Sequence, residues 1–170
     1  EDVPVDIAYA ERHSVDSAPL PLTSYSAGTN GLAYQQIIMP MPALTAKQMD
    51  LLPLYSTCVT EMGVGDRDYQ ATQLWHSSVV GAYSASASVR SDKDHLDQLH
   101  GNISFSAKGL ARNQSAMSDL MHESMQNTRF TELSRLRELV SQIRTHRESS
   151  IVGSGHALAM TAAASGLSAN

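Results

Sequence analysis

The chain has 170 residues, with 12 Lys plus Arg against 17 Asp plus Glu and a formal charge of -5, a length that suits one domain with its own core and leaves little room for a second. That balance argues against a phosphate backbone as the natural partner, and no apolar run approaches the ~20 residues of a membrane span. Charged residues make up 17 % of the chain, below the ~25 % of ordinary soluble domains, which points to a surface partly covered by another domain or subunit.

The opening EDVPVD lacks the basic and apolar regions of a signal peptide. Residues 1–19 contain Pro4 and Pro19 without lasting periodicity, so they read as an extended lead-in or linker, and residues 20–170 read as a single domain. Two strand-like runs, about 21–27 and 31–39, flank Asn30-Gly31, which supplies the positive φ values of a tight turn. The expectation is a β-hairpin, with Pro40 and Pro42 ending its second strand because neither can donate to a ladder.

Thr45 and Gln48 form a capping-box pattern that opens a helix to about Met62. Pro53 should kink or break it, Leu54, Cys58, Val59 and Met62 share a face, and Gly63 is expected to close it in a left-handed conformation. A further helix is predicted from Asp68 to about Val80, burying Trp75 and Val79. In GAYSASASV, Tyr83, Ala85, Ala87 and Val89 alternate with serines, the period of a strand with one buried face. NISFSA repeats the pattern with Ile103, Phe105 and Ala107. Helical spacing then returns at Met117, Leu120, Met121 and Met125, again at Leu133, Leu136, Val140 and Ile143, and in a small-residue helix from about Ser150 to Ala164. The order gives an α+β fold, a two-layer arrangement of antiparallel sheet with helices on one face.

Candidate chemistry is sparse. In KDHLDQLHGNIS, His95 and His100 with Asp94 and Asp97 suggest a metal site, but a five-residue separation turns the rings apart by roughly 140° on a helix and puts them on opposite faces of a strand. Zinc helices use i and i+4 with an intervening Glu; a solvated approach to the next strand accounts better for the segment. Ser154 beside His156 in GSGH lacks the flanking glycines of a nucleophile elbow. Gly63-Val64-Gly65 lacks the third glycine of a dinucleotide fingerprint and is followed by Asp66 and Asp68, so a helix end and the next N-cap explain it. The methionines of MSDLMHESM read as core before groove. Arg137, Arg144 and Arg147, with Glu138 and Glu148 among them, read as a solvated face, with docking of an acidic partner the less favoured alternative. Cys58, the single cysteine, reads as a small buried hydrophobe. No catalytic, cofactor-binding or metal-binding residue is assigned.

An ordered set of motifs carries the argument further. TNGLAYQQIIMPMPALTAKQMDLLPLYSTCVTEMGVGDRDYQ, with Thr29 to Gly31, Leu52 to Leu54, Met62 to Gly63 and Asp68 to Tyr69, resembles the start of a non-catalytic repeat in the pitrilysin and insulinase class of zinc peptidases, in the presequence-protease branch. GAYSASASV follows, with Ala82 where the branch has a second glycine, then FSAKGLARNQSAMSDLM and SIVGSGHALAMTAA, in the branch's order over about residues 20–165. The resemblance implies a metallopeptidase-repeat fold of β-α-β-β-α-α type and the third of four repeats. It also implies a parent whose zinc motif, His-x-x-Glu-His, lies in the first repeat, where zinc polarises the scissile carbonyl and a glutamate activates water. His122 and Glu123 come nearest that motif and do not match it.

The expectation is therefore a non-catalytic piece of a zinc metalloendopeptidase that degrades unfolded peptides, inactive alone, forming chamber wall against the catalytic half of the same polypeptide. Zinc belongs to the parent, with ligands outside this chain; no nucleic acid or membrane partner is expected, and self-association of the isolated piece is left open. An inactive scaffold or binding module of the same fold is the alternative, and a hydrolase using Ser154 and His156 a distant third. Compartment and peptide identity are not legible.

Overall fold

A computed structural model describes residues 9–14, 21–92, 94–95 and 98–165. These fall into two compact units, one within residues 1–32 and one within 33–170. The first holds an antiparallel pair, β1 (Tyr9–Ser14) and β2 (Pro21–Ser26), in a register from Tyr9 opposite Ser26 to Ser14 opposite Pro21. Part of the expected lead-in is thus a paired strand; residues 1–8 and 15–19 lie outside the described residues. Asn30 and Gly31 do adopt positive φ, 51° and 79°, and Leu32 donates to the Thr29 carbonyl at 3.2 Å.

The expected hairpin across that turn is corrected. β2 takes its ladder from β1, whereas β3 (Leu32–Pro40) takes its own from a strand much later in the chain, in the order β3-β5-β4. Asn-Gly specifies a reversal of the chain, but which strand then fills the ladder is settled by long-range packing.

The second unit continues with α1 (Ala46–Glu61), α2 (Tyr69–Val79), β4 (Ala82–Ser91), β5 (Leu99–Leu110), a 3-10 turn, α3 (Gln114–Asn127), α4 (Leu133–Gly153) and α5 (Gly155–Ala164). The α+β order is the expected one. α1 starts on the reciprocal capping box of Thr45 and Gln48, each side chain serving the other's backbone N–H. Pro53 neither breaks nor ends the helix, which runs through it. α2 starts on Asp68, whose Oδ1 accepts from the Ala71 N–H at 2.8 Å.

β4 and β5 pair antiparallel from Ala82 opposite Lys108 to Ser91 opposite Leu99. The odd-numbered side chains face the helices. Phe105, Ala107, Met117, Leu120, Met121, Val59 and Val80 form the main core, with Tyr83, Ala85 and Ile103 packed against it. Truncating the fully buried Phe105 to Ala should cost about 3–5 kcal/mol. The even-numbered side chains form the opposite face: Ser84, Ser86 and Ser88 stand across from Ser106, Ser104 and Asn102.

Three helix faces differ from expectation. On α2 the buried positions are Thr72 and His76, with Trp75 and Val79 only half-buried. On α4 the buried residue is Leu139, which meets Cys58 and Met62, while Leu133 and Val140 are exposed. The small-residue helix begins at Gly155, after α4 has run through to Gly153, and its Leu158 and Met160 face outward.

Gly63 is not left-handed; among the glycines of this turn it is Gly65 that has positive φ, 59°. What Gly63 supplies is space. A Cβ there would lie 2.5 Å from the Arg67 carbonyl oxygen and 2.6 Å from Glu132 Oε1. Gly63 N–H donates to Glu132 Oε2, its carbonyl accepts from Arg129 N–H at 2.8 Å, and Gly65 N–H donates to the Asn127 carbonyl at 2.9 Å. The α1–α2 connection is thereby stitched to the α3–α4 connection, with Val64 fully buried between them. Gly63→Ala should destabilise the fold by about 1–3 kcal/mol through overpacking, and Gly65→Ala by about 1–2 kcal/mol through left-handed strain. Urea denaturation checks both; an unchanged midpoint for Gly63→Ala would remove the close-approach argument.

Candidate functional site

α1 crosses beside β4, and the two leave a groove of about 580 Å³ between them. Met49, Leu52, Ser56 and Thr60 recur at helical spacing along its α1 wall; Tyr83, Ala85, Ala87 and Val89, the helix-side residues of β4, line the other. Met41 closes one end, fixed by its N–H donating to the Gly101 carbonyl at 2.8 Å. Glu61 is the charged residue of the lining; its Oε2 accepts from Arg135 Nη2 at 3.1 Å and from Gln73 Nε2 at 3.4 Å.

Beneath the groove lies a polar pocket in the core. Tyr83 Oη, His76 Nε2 and Ser124 Oγ are buried without a hydrogen bond of good geometry, and the Tyr83 and His76 rings meet edge to face at 5.5 Å. Burial pushes the Tyr83 phenol up to about 12, the neighbouring Ser124 hydroxyl drawing it slightly the other way. Burial also holds the His76 imidazole below its ordinary value.

The His95–His100 segment is organised by Asp92. Its Oδ1 accepts from the N–H groups of Asp94 at 2.7 Å and His95 at 3.1 Å, and its Oδ2 meets His100 Nε2 at 3.0 Å. Those bonds, the backbone pair first, hold the Asp92 carboxyl below the usual carboxylate range. Asp97 lies outside the described residues. Among the described residues, no three His, Cys, Asp or Glu side chains gather as they would around a cation. Ser154 sits at the junction of α4 and α5, its N–H on the Ser150 carbonyl, and His156 stands exposed on α5. Cys58 is buried, and burial raises its thiol pKa, the environment of an inert cysteine.

The charged residues that matter most to the structure are ones spacing did not single out. Arg135 reaches Glu61 and Glu138 and stacks over Tyr69 at 4.6 Å. Arg67 pairs with Glu123 at 2.9 Å and covers Trp75 at 4.3 Å. Only the Arg135–Glu138 step, three apart, carries a local signal; the rest are long-range. Arg144 bonds to Glu148 at 2.7 Å on an exposed helix face, as a solvated face would.

A family model for the region associated with peptidases of metallopeptidase family 16, subfamily C, matches residues 1–170. The chain is 27 % identical over 150 residues to the mitochondrial presequence protease of Yarrowia lipolytica, covering 88 % of this chain and 15 % of that protein. It is 27 % identical over 161 residues to presequence protease 1, chloroplastic/mitochondrial, of Arabidopsis thaliana, covering 93 % and 14 %. Against the mitochondrial presequence protease of Danio rerio the identity is 28 % over 166 residues, covering 98 % and 16 %. The chain therefore spans only 14 to 16 % of the length of these relatives.

Because His76 is harder to protonate folded than unfolded, the unfolded chain takes up the extra proton as pH falls, so this contribution favours folding above the ordinary histidine value of 6.5 and is lost below it. Stability measured across that range should decline on acidification, and His76→Gln should flatten the decline. Parallel curves for the two proteins would rule the effect out.

Proposed function

We propose, from the premise that the chain belongs to this peptidase-associated family, that it is a non-catalytic domain of a zinc-dependent metalloendopeptidase that degrades unfolded peptides. In this reading it forms part of the wall of a peptide chamber, facing the catalytic half of the same polypeptide. The observation that carries the reading is the alignment of 98 % of the chain with 16 % of a presequence protease. Nearly all of this chain thus corresponds to a small part of a much longer peptidase.

The side chains here do not fit a zinc centre. His100 is engaged with Asp92, His76 is buried between Trp75 and Tyr83, and Cys58 belongs to the packing of α1 on α4. Zinc ligands and the group that activates water are accordingly assigned to another part of the parent, and no step of hydrolysis is derived from this chain. What the chain offers is surface. The sheet face turned away from the helices carries Ser84, Ser86, Ser88, Asn102, Ser104 and Ser106, hydroxyl and amide groups that hydrogen-bond to peptide without selecting strongly for sequence. A wall of that chemistry suits varied unfolded substrates. No helix among the described residues is long and apolar enough to cross a membrane.

The test is made on the natural open reading frame and on this chain alone. The parent should carry His-x-x-Glu-His and cleave an unstructured peptide in a chelator-sensitive way; the isolated chain with equimolar zinc should not cleave it. A parent without the motif would turn the reading toward an inactive scaffold, and chelator-sensitive cleavage by this chain alone would overturn the non-catalytic assignment.

A further inference from the structure

β4 is a ten-residue strand at the edge of its sheet, with β5 on one side and, among the described residues, no strand on the other. The register fixes which of its backbone groups are spoken for. Asp92 N–H donates to the Gln98 carbonyl at 2.8 Å, and the register continues in the same phase through Arg90 opposite His100 and Ser88 opposite Asn102. In an antiparallel ladder hydrogen-bonded pairs alternate with pairs that are not, so the even residues from Ser84 to Arg90 bond to β5. The N–H and C=O groups of Ala85, Ala87 and Val89 then point along the open edge. Met41 N–H on the Gly101 carbonyl agrees, since it gives the odd residues of β5 to β3.

That edge is long, contains no proline, and has Arg90 as its only charge, so it lacks the devices that usually protect an edge strand. It also opens into the α1–β4 groove. Any chain laid there in extended form would meet the free β4 groups with its backbone and the groove with alternate side chains. Met41, Met49, Leu52 and Val89 offer apolar contacts, and Glu61 is the sole charged residue of the lining, carrying an oxygen, Oε1, that accepts no hydrogen bond among the described residues.

We infer that the β4 edge and its groove bind an unfolded peptide as an added strand, with apolar side chains alternating into the groove and a basic side chain at Glu61. The inference rests on the peptide-handling role proposed above and supplies a position and a chemistry for it. Backbone pairing gives affinity without sequence preference; the apolar subsites and Glu61 favour basic, acid-poor amphipathic segments over acidic ones.

The experiment uses this chain and a synthetic unstructured peptide of Arg, Leu, Ser and Ala without acidic residues. Amide hydrogen exchange should show protection of Ala85, Ala87 and Val89 when the peptide is added. Ala87→Pro deletes an edge-facing N–H, a position where proline is tolerated, and should weaken binding about tenfold. Ser56→Phe fills the groove from α1, leaves β4 intact, and should weaken binding comparably even where the proline variant does not fold. Protection confined to other segments, or unchanged affinity in Ser56→Phe, overturns the edge assignment while leaving a peptide role elsewhere on the chain. Absence of any binding overturns it as well, whereas the proposed function falls only with a parent that does not cleave peptides. Concentration-dependent protection of the same amides without peptide would make a second copy the occupant and likewise overturn it.

Discussion

The second unit depends on a place where nothing can be added. At Gly63 the backbone of the α1–α2 connection lies so close to Glu132 and to the Arg67 carbonyl that a single methyl would collide with both. Because the gap closes, Gly63 and Gly65 exchange backbone bonds with the α3–α4 connection, and Val64 N–H reaches Thr72 Oγ1 at 3.0 Å. Four helices are thereby referenced to one short turn. Arg135 and Arg67 reinforce it from either side, each pairing with a carboxylate while lying over an aromatic ring. Such half-exposed pairs contribute little through charge alone; their aliphatic stems and planar heads cover Tyr69 and Trp75 and add packing.

Features set by neighbours in the chain were legible in the residues. The Thr45–Gln48 box, the Asp68 cap and the alternating serines of β4 are local, and each fixes its own stretch of backbone. Failures came where distant parts of the chain decide. Asn30-Gly31 makes its turn, yet the strands it joins have partners elsewhere in sequence. On α4 a periodicity through Leu133 and Val140 competes with one through Leu136, Leu139 and Ile143, and contact with Cys58 and Met62 selects the second. A glycine after a helix suggests a need for positive φ, whereas Gly63 is needed for its missing side chain.

The groove was the least legible part, for a related reason. Its walls come from Met49 to Glu61 and Tyr83 to Val89, segments whose adjacency depends on where β5 inserts in the sheet. Alanine and serine along β4 announce a strand but not an open edge. Conversely, the histidines that attract the eye in sequence are arranged around Asp92 as a loop closure, in which two backbone N–H groups and one imidazole satisfy a single carboxylate. A loop that consumes its own acceptor in this way has a structural account complete in itself.

Pro53 sits within α1 without interrupting it, and a proline has no N–H to return to the residue four positions before it. The Met49 carbonyl is therefore released from the helical pattern, and both residues border the same groove. A helix wall is ordinarily silent toward a bound main chain because its amides are used internally; here the imino acid converts one turn of that wall into a fixed hydrogen-bond acceptor.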